Sequence, residues 1–263
     1  MKKDNINLPS GKKLFFASDF HLGIPNTEES LVREKKLVSW LDQIKNEAFE
    51  IYLMGDVFDF WFEYKTVIPK GFVRLLGKLA EITDSGVPVH LFRGNHDVWA
   101  FDYLKKEVGI QLHRNPQVRI YNDKSFYLAH GDGLGPGDHG YKLLKKVFAC
   151  PFCQWLFRWL HPDWGARMGL YFSQKSRLAN IAKEGRKDNR DQSIEEEMLY
   201  QYAKHMINNG FEYDFFIFGH RHLPVKNQIS KRSNLIILGD WITNYTYAEF
   251  SGDTIKLREY QNR

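Results

Sequence analysis

Five short clusters along the chain carry residues able to do chemistry. They are Asp19-Phe20-His21, Gly55-Asp56-Val57-Phe58-Asp59, Gly94-Asn95-His96-Asp97, His130-Gly131-Asp132 and Gly219-His220-Arg221-His222. Asp19, His21, Asp56, Asn95, His130, His220 and His222 together offer hard oxygen and borderline imidazole donors with no thiolate. That mixture suits Mn, Fe, Zn or Co rather than calcium or copper(I). Asp19-X-His21 and His220-X-His222 each place two ligands on one side of a strand or tight turn. Asp56 can bridge through two carboxylate oxygens, which allows two ions about 3.5–4 Å apart that share a hydroxide and clamp a phosphate. Singly, each cluster has an ordinary reading. Asp after Gly is common turn chemistry, His130-Gly131-Asp132 could cap a loop, and His220 and His222 could be core histidines. It is the full set, in order and each after an apolar run, that points to a metal site.

Those apolar runs are the elements that must position the ligands. Lys13 to Ser18 reads as a strand ending at Asp19, and Ile51 to Met54 as a buried strand broken by Gly55 just before Asp56. Between them Asn26-Thr27-Glu28-Glu29 starts a helix, with Leu31, Leu37, Val38, Leu41, Ile44 and Ala48 on its apolar face. A second helix carries Phe72, Leu75, Leu76, Leu79 and Ile82 and stops near Gly86; Val87 to Phe92 is a third strand, delivering Asn95. The β-α-β-α-β order predicts a sheet with helical crossovers, and carboxylates at strand ends are where such sheets keep their chemistry. Beyond a short helix after Trp99, strands are expected near Val118–Ile120, Ser125–Ala129 and Phe215–Phe218. Leu235–Leu238, Tyr245–Phe250 and Ile255–Tyr260 read as a closing antiparallel set.

Residues 141–209 interrupt the strand series with helical patterning alone, broken at Pro151, Pro162 and Gly185. The predicted division is therefore a core of 1–140 and 210–263 with a helical insertion of 141–209. Of the net charge of +5, residues 141–190 hold +8, with eleven Lys/Arg against three Asp/Glu, so the remainder is −3. The same stretch is rich in Trp, Phe and Leu. It is either a subdomain whose apolar face packs on itself or a cap offering a greasy groove with basic residues, and both can hold.

With 263 residues, 43% of them hydrophobic, the chain suits one large domain or one domain with an insertion. Its polar, lysine-bearing start is unlike a signal peptide, and no apolar run approaches the roughly 18 residues of a membrane span. A cytoplasmic protein, in solution or peripheral to a membrane, is expected. Cys150-Pro151-Phe152-Cys153 lacks a second Cys pair or an unclaimed spaced His pair for zinc. Its amphipathic-helix flanks differ from a thioredoxin turn, so two reduced thiols in an apolar segment are expected.

The series Asp-X-His, Gly-Asp-X-X-Asp, Gly-Asn-His-Asp, His-Gly-Asp, Gly-His-X-His resembles the calcineurin-like metallophosphoesterases over almost the whole chain outside the insertion. The resemblance implies an α/β fold, a β-sandwich flanked by helices with a helical lid insertion. It assigns one ion to Asp19, His21, Asp56 and His222 and the other to Asp56, Asn95, His130 and His220. Two divalent ions are implied, Mn2+ first, with Zn2+, Fe2+ and Co2+ as alternatives. His96, held by Asp97, would stand near the leaving group as proton donor or charge stabiliser.

Within that superfamily the chain is similar to the UDP-2,3-diacylglucosamine diphosphatases of lipid A synthesis. Ser18-Asp19-Phe20-His21-Leu22-Gly23, Gly55-Asp56-Val57-Phe58-Asp59-Phe60-Trp61, and His130-Gly131-Asp132 followed by Asp138 and Tyr141 carry this likeness, with the basic, aromatic insertion. It implies hydrolysis of the substrate's diphosphate to UMP and the acylated sugar 1-phosphate, with a lid whose apolar chamber holds the acyl chains. Substrate contacts would come from Asn95, His96, Asp138, Tyr141 and Arg177. The implied partners are a nucleotide-activated glycolipid and an anionic membrane surface at the inner face of the bacterial inner membrane, not nucleic acid. The chain departs from better-known members by having His96 where they have Arg. The weighed alternatives are a nuclease or cyclic-nucleotide phosphodiesterase, which would bring a long basic groove, and a scaffold that lost its site. Here charge is interleaved with Trp and Leu, and the ligand set is full.

Overall fold

A computed structural model describes residues 4–135, 139–184 and 193–261. Its strands are β1 (Asn5–Ile6), β2 (Lys13–Ala17), β3 (Ala48–Leu53), β4 (Val89–Phe92), β5 (Gln111–His113) and β6 (Gln117–Tyr121). They continue with β7 (Lys124–Leu128), β8 (Phe215–Phe218), β9 (Pro224–Gln228), β10 (Asn234–Leu238), β11 (Thr246–Phe250) and β12 (Ile255–Glu259). The helices are α1 (Thr27–Ile44), α2 (Val73–Asp84), α3 (Tyr103–Glu107), α4 (His139–Ala149), α5 (Pro151–Arg158), α6 (Pro162–Glu184) and α7 (Met198–Asn208).

Two six-stranded sheets form, ordered β12-β11-β2-β3-β4-β5 and β1-β6-β7-β8-β10-β9. Side-chain alternation in β2 explains the layering. Leu14 and Phe16 join Tyr52, Phe126, Leu128 and Ile217 in the layer between the sheets. Phe15 and Ala17, on the other face, pack with Leu37, Trp40 and Leu41 of α1 and Leu75 and Leu79 of α2. Both faces are buried, so these strands read as continuous apolar runs. On the far side Tyr127, Phe216 and Ile237 pack against Leu199 and Ala203 of α7. The result is a sandwich of two sheets between helical layers.

The predicted strands are present, with three corrections. β1, β5 and β9 were not read from the sequence. They are short, polar and at or next to sheet edges, where one face meets water and alternation fades; Pro224 opens β9, as edge strands tolerate. β10 does not close an antiparallel set with β11 and β12 but lies parallel to β8 in the opposite sheet. Finally, α7 falls within the predicted insertion of 141–209 yet packs on the core, because its apolar positions meet β7, β8 and β10.

α2 begins without a cap of its own. Phe72 at its start has φ of 59°, and Glu34 of α1 instead accepts from the amides of Arg74 and Leu75 at 2.8 and 3.0 Å. Capping by a neighbouring helix ties α1 and α2 together as one face of the sheet.

Candidate metal centre

The ligand loops all leave the carboxyl ends of parallel strands: Asp19 and His21 after β2, Asp56 after β3, Asn95 after β4, His130 after β7, His220 and His222 after β8. Each chain segment must turn sharply there to bring its side chain over the sheet edges. Asp19, His21, Asp56, His220 and His222 accordingly have positive φ, of 57°, 44°, 52°, 69° and 52°. Such backbone costs on the order of 1–3 kcal/mol per residue and persists where the surroundings over-determine it. The loops interlock through main-chain bonds, with Asp19 N donating to Gly55 O at 3.1 Å and His21 N to Asp56 O at 2.9 Å. A side chain on Gly55, at φ of 105°, would come within 2.4 Å of His130 Nδ1, and one on Gly94 within 2.1 Å of Asp56 Oδ1. Glycine is thus required by close approach as well as by the turn.

Among the described residues three donor groups form. Asp19, His21 and His222 make one, Asp56, His130 and His220 another, and His21, Asp59 and His96 a third, the donor atoms of each lying within 4.8 Å of one another. Asp56 faces the first two, its Oδ2 3.2 Å from His130 Nε2 and 3.8 Å from His21 Nε2. Three buried atoms, Asp19 Oδ1, Asn95 Oδ1 and His130 Nε2, have no hydrogen-bond partner. Unpaired burial costs about 1–3 kcal/mol per group, and His21 Nε2 and His222 Nε2 face each other at 3.1 Å. Converging lone pairs of this kind fit cations, and the oxygen and imidazole donor set fits divalent ones. The structure thus groups six of the seven ligand positions read from the sequence, and Asn95, on the loop after β4, has a buried Oδ1 without a hydrogen-bond partner among the described residues.

Electrostatics agree. Burial pushes Asp19 up, but His222 and His21 outweigh it and hold the carboxyl well below its usual range. Asp56 is likewise pulled down, by His130 and His96 against burial. Burial opposes charge on His21 and His130, yet Asp19 and Asp59 lift the first to about 9, and Asp56 lifts the second to about 10. Burial and the neighbouring His130 push His220 down to about 4. Without cations, protons on His21 and His130 balance the carboxylates.

Around the donors stands a layer the sequence reading did not assign. Asp59, the second acid of Gly-Asp-X-X-Asp, meets His21 Nδ1 at 3.1 Å through Oδ1 and accepts from Ser173 Oγ at 2.7 Å through Oδ2. A carboxylate behind a ligating imidazole fixes its orientation and raises its basicity. Buried Arg33 donates to the carbonyls of His21 and Ile24 at 2.9 and 3.0 Å, holding that loop. Asp240 gathers the amides of Ile242 and Thr243 and the Asn244 side chain, which in turn donates to His222 O at 3.1 Å. Only the three-residue spacing from Asp56 could have singled out Asp59; Ser173, Arg33 and Asp240 carry no local signal.

His96 lies beside the cluster, but Asp97 does not hold it. The two Asp97 oxygens accept from Gly94 N at 2.7 Å and Val57 N at 2.8 Å, joining the β3 and β4 loops. Burial and the Asp56 charge raise Asp97 to about 6. The His96 ring instead donates from Nδ1 to Asp59 O at 2.9 Å, with Ser173 Oγ at 3.2 Å. Burial lowers its pKa, so the neutral ring presents an unprotonated Nε2, able to accept a proton before it gives one.

α4, α5 and α6 dock on the loops after β3 and β4. Trp99 Nε1 donates to Phe148 O at 2.9 Å, and Phe157 packs on Phe62 and Trp99. Beneath them is a cavity of about 290 Å³, lined among others by Phe60, Trp99, Val147 and Phe148, and reaching Asn95 and His96. Cys153 lines it too, while Cys150 precedes α5; both thiols are free. Tyr141, at its mouth, donates to Asp132 at 2.6 Å. Asp138 and the Arg177 side chain lie outside the described residues. The outer lid face exposes Trp155, Trp159 and Trp164 at 51%, 76% and 69%, although Trp155 meets the rings of Phe152 and Trp159.

Comparison with known proteins agrees with this geometry. Residues 12–224 match the family model for calcineurin-like phosphoesterase. The UDP-2,3-diacylglucosamine hydrolase of Porphyromonas gingivalis strain W83 is 40% identical over 259 residues, covering 95% of this chain and 98% of that one. The enzyme of the same description from Vibrio atlanticus is 27% identical over 95% of this chain and 99% of its own. That of Haemophilus influenzae strain PittGG is 27% identical over 89% and 92%.

Proposed function

This chain belongs to the calcineurin-like phosphoesterase family, and from that premise we propose that it splits the diphosphate of UDP-2,3-diacylglucosamine to UMP and 2,3-diacylglucosamine 1-phosphate, a step of lipid A synthesis. The observation that carries the reading is the apolar cavity opening directly on Asn95 and His96. A phosphoesterase site beside an acyl-sized chamber suits a substrate that is part phosphate and part lipid. The likeness to UDP-2,3-diacylglucosamine hydrolases over nearly their full lengths supports it.

Asp19, His21, Asp56 and His222 would hold one divalent ion, and Asp56, Asn95, His130 and His220 the other, with Mn2+ our first choice. Bound there, two ions supply an activated water near neutral pH and neutralise phosphate charge. The chain's own residues do the rest. Asp59 and Met54 O orient the rings of His21 and His130 from behind, the latter at 2.7 Å. His96 Nε2, the neutral acceptor, is the group at the chamber mouth able to take a proton and pass it on. Asp97 acts as a positioning residue through the two loops it joins. The lid would cover the site and keep bulk water from the reacting phosphate, while Tyr141, Asp138 and Arg177 would meet the substrate, the first two near its glucosamine or nucleotide.

The exposed lid tryptophans stand among Lys142, Lys146, Arg158 and Arg167. This face would rest on an anionic membrane at the cytoplasmic side, where the acylated substrate resides. Among the described residues no helix is long and apolar enough to cross a membrane. The nuclease alternative calls for a long basic groove, whereas this chamber is apolar. The test is kcat/KM on UDP-2,3-diacylglucosamine, deacylated UDP-glucosamine and single-stranded DNA. Each buried methylene contributes about 0.8 kcal/mol, so the acylated substrate should be cleaved far more efficiently than the other two. Equal rates on both sugars, or faster cleavage of DNA, would end this reading.

A further inference from the structure

A second cavity, of about 330 Å³, adjoins the metal cluster from the other side. Its lining includes Gly94, His130 and Asp132, whereas the apolar chamber includes Asn95 and His96. The β4 loop is therefore the wall between two spaces, with the cluster at its top. The two differ in chemistry. The second is edged by Arg93, Arg114 and Lys145 against one carboxylate, Asp132, which already bonds Lys145 at 2.6 Å. Arg93 forms no ion pair among the described residues, although the charges of Asp97 and Glu63 reach it. It donates to Val98 O at 3.2 Å and lies 5.8 Å from the Phe101 ring, while Arg114 is exposed at the cavity's edge. Asn115 and Gln154 add amide groups; Gln154 Nε2 is held on Phe148 O at 2.7 Å, leaving its carbonyl oxygen as an acceptor.

We infer that this second cavity seats the nucleotide half of the substrate, a nucleoside 5′-phosphate, while the lid chamber seats the acylated sugar. The inference rests on the function proposed above and deepens it. A diphosphate lying over the β4 loop then has its two phosphorus atoms beside the cluster and its unlike ends in unlike cavities. Arg114 meets the phosphate charge, and the amides of Asn115 and Gln154 meet the edge of the base. The hydrolysis product that stays in this cavity is UMP, so the two products leave by separate routes.

The experiment uses the full chain loaded with metal and compares Arg114→Glu with Lys231→Glu. Both residues are exposed, so either variant should fold, and Lys231 lines neither cavity. Inhibition constants of UMP and of 2,3-diacylglucosamine 1-phosphate are measured during hydrolysis of the acylated substrate. Loss of a charge-assisted phosphate contact in Arg114→Glu should weaken UMP by about tenfold or more and the lipid product by less than about threefold, with Lys231→Glu moving neither beyond that. Inorganic phosphate, tested alongside, should compete less well than UMP. Equal weakening of both products, an unchanged UMP constant, or phosphate competing as well as UMP would overturn the assignment. If the wild-type chain does not hydrolyse the substrate, the proposed function fails. Calorimetric titration of UMP into wild type and Arg114→Glu then still decides the cavity's role.

Discussion

At the scale of single residues, charge and its neutralisation dominate. Asp56 faces the His21 and the His130 donor groups, so Asp56→Asn should lose metal and nearly all hydrolysis together. Asp59 meets Nδ1 of His21, whereas Asp19 and Asp56 face its Nε2, so its loss should act through that ring. Disrupting such an outer partner costs about 10–100-fold in metal affinity. Asp59→Ala should therefore retain activity once metal is raised in excess, whereas Asp56→Asn should not; metal content and turnover against metal concentration separate the two. A pH dependence follows as well. His21 and His130 carry raised pKa values, about 9 and about 10 without cations, so both rings are protonated at neutral pH and lose their protons only as pH rises through those values. Cations must displace those protons, so metal affinity should rise with pH across the neutral range, and binding near pH 7.5 should release up to about two protons. Calorimetry in buffers of different ionisation enthalpy reads that number, and a value near zero would contradict the charge balance described.

At the scale of elements, one buried polar network joins the two sheets. Glu50 of β3 accepts from Tyr52 and Tyr121 at 2.6 and 2.5 Å and meets His90 Nε2 at 2.9 Å, and His90 Nδ1 meets His113 at 2.9 Å. Burial raises Glu50, but these donors outweigh it, and its pKa ends below the ordinary value. Its stabilisation is thus fully present above the ordinary glutamate range and fades as pH falls through the depressed value. Glu50→Ala would strand three buried donors and should destabilise the fold by about 3 kcal/mol or more, with Glu50→Gln costing less because an acceptor remains. Urea unfolding of both variants tests this; equal losses would show that packing, not hydrogen bonding, is the cause. Sequence patterning did not reveal this network, because Glu50 sits mid-strand where alternation alone predicts an apolar residue. Its partners come from β4, β5 and β6, far apart in the chain.

At the scale of the whole molecule, the distribution of charge and apolar surface bears on the proposed membrane contact. Residues 141–190 carry +8 and the rest −3, and the exposed aromatic lid face lies on the same segment. Attraction to an anionic surface adds about 1 kcal/mol per nearby Lys or Arg, falling with salt. The chain should therefore co-sediment with vesicles containing an anionic lipid at low salt and far less with neutral ones. Trp159→Ser with Trp164→Ser should weaken that binding while leaving metal content unchanged. Binding indifferent to lipid charge would remove the electrostatic part of this picture.

The sequence alone picked out the candidate ligands and the strands that carry them. A ligand set of Asp, Asn and His is written in short local motifs, and a strand buried on both faces leaves an uninterrupted apolar run. Helical periodicity was equally legible, and α4, α5 and α6 lie in the stretch that showed it. Tertiary structure decided the rest. Only folding sets Asp59 behind His21, turns Asp97 from His96 toward two backbone amides, and carries Ser173 from the lid to the loop after β3. It also places α7 on the core sheet and β10 in the opposite sheet from β11. These outcomes depend on which distant surfaces meet, and hydrogen-bond partners separated by 114 residues, as Asp59 and Ser173 are, leave no local pattern to read.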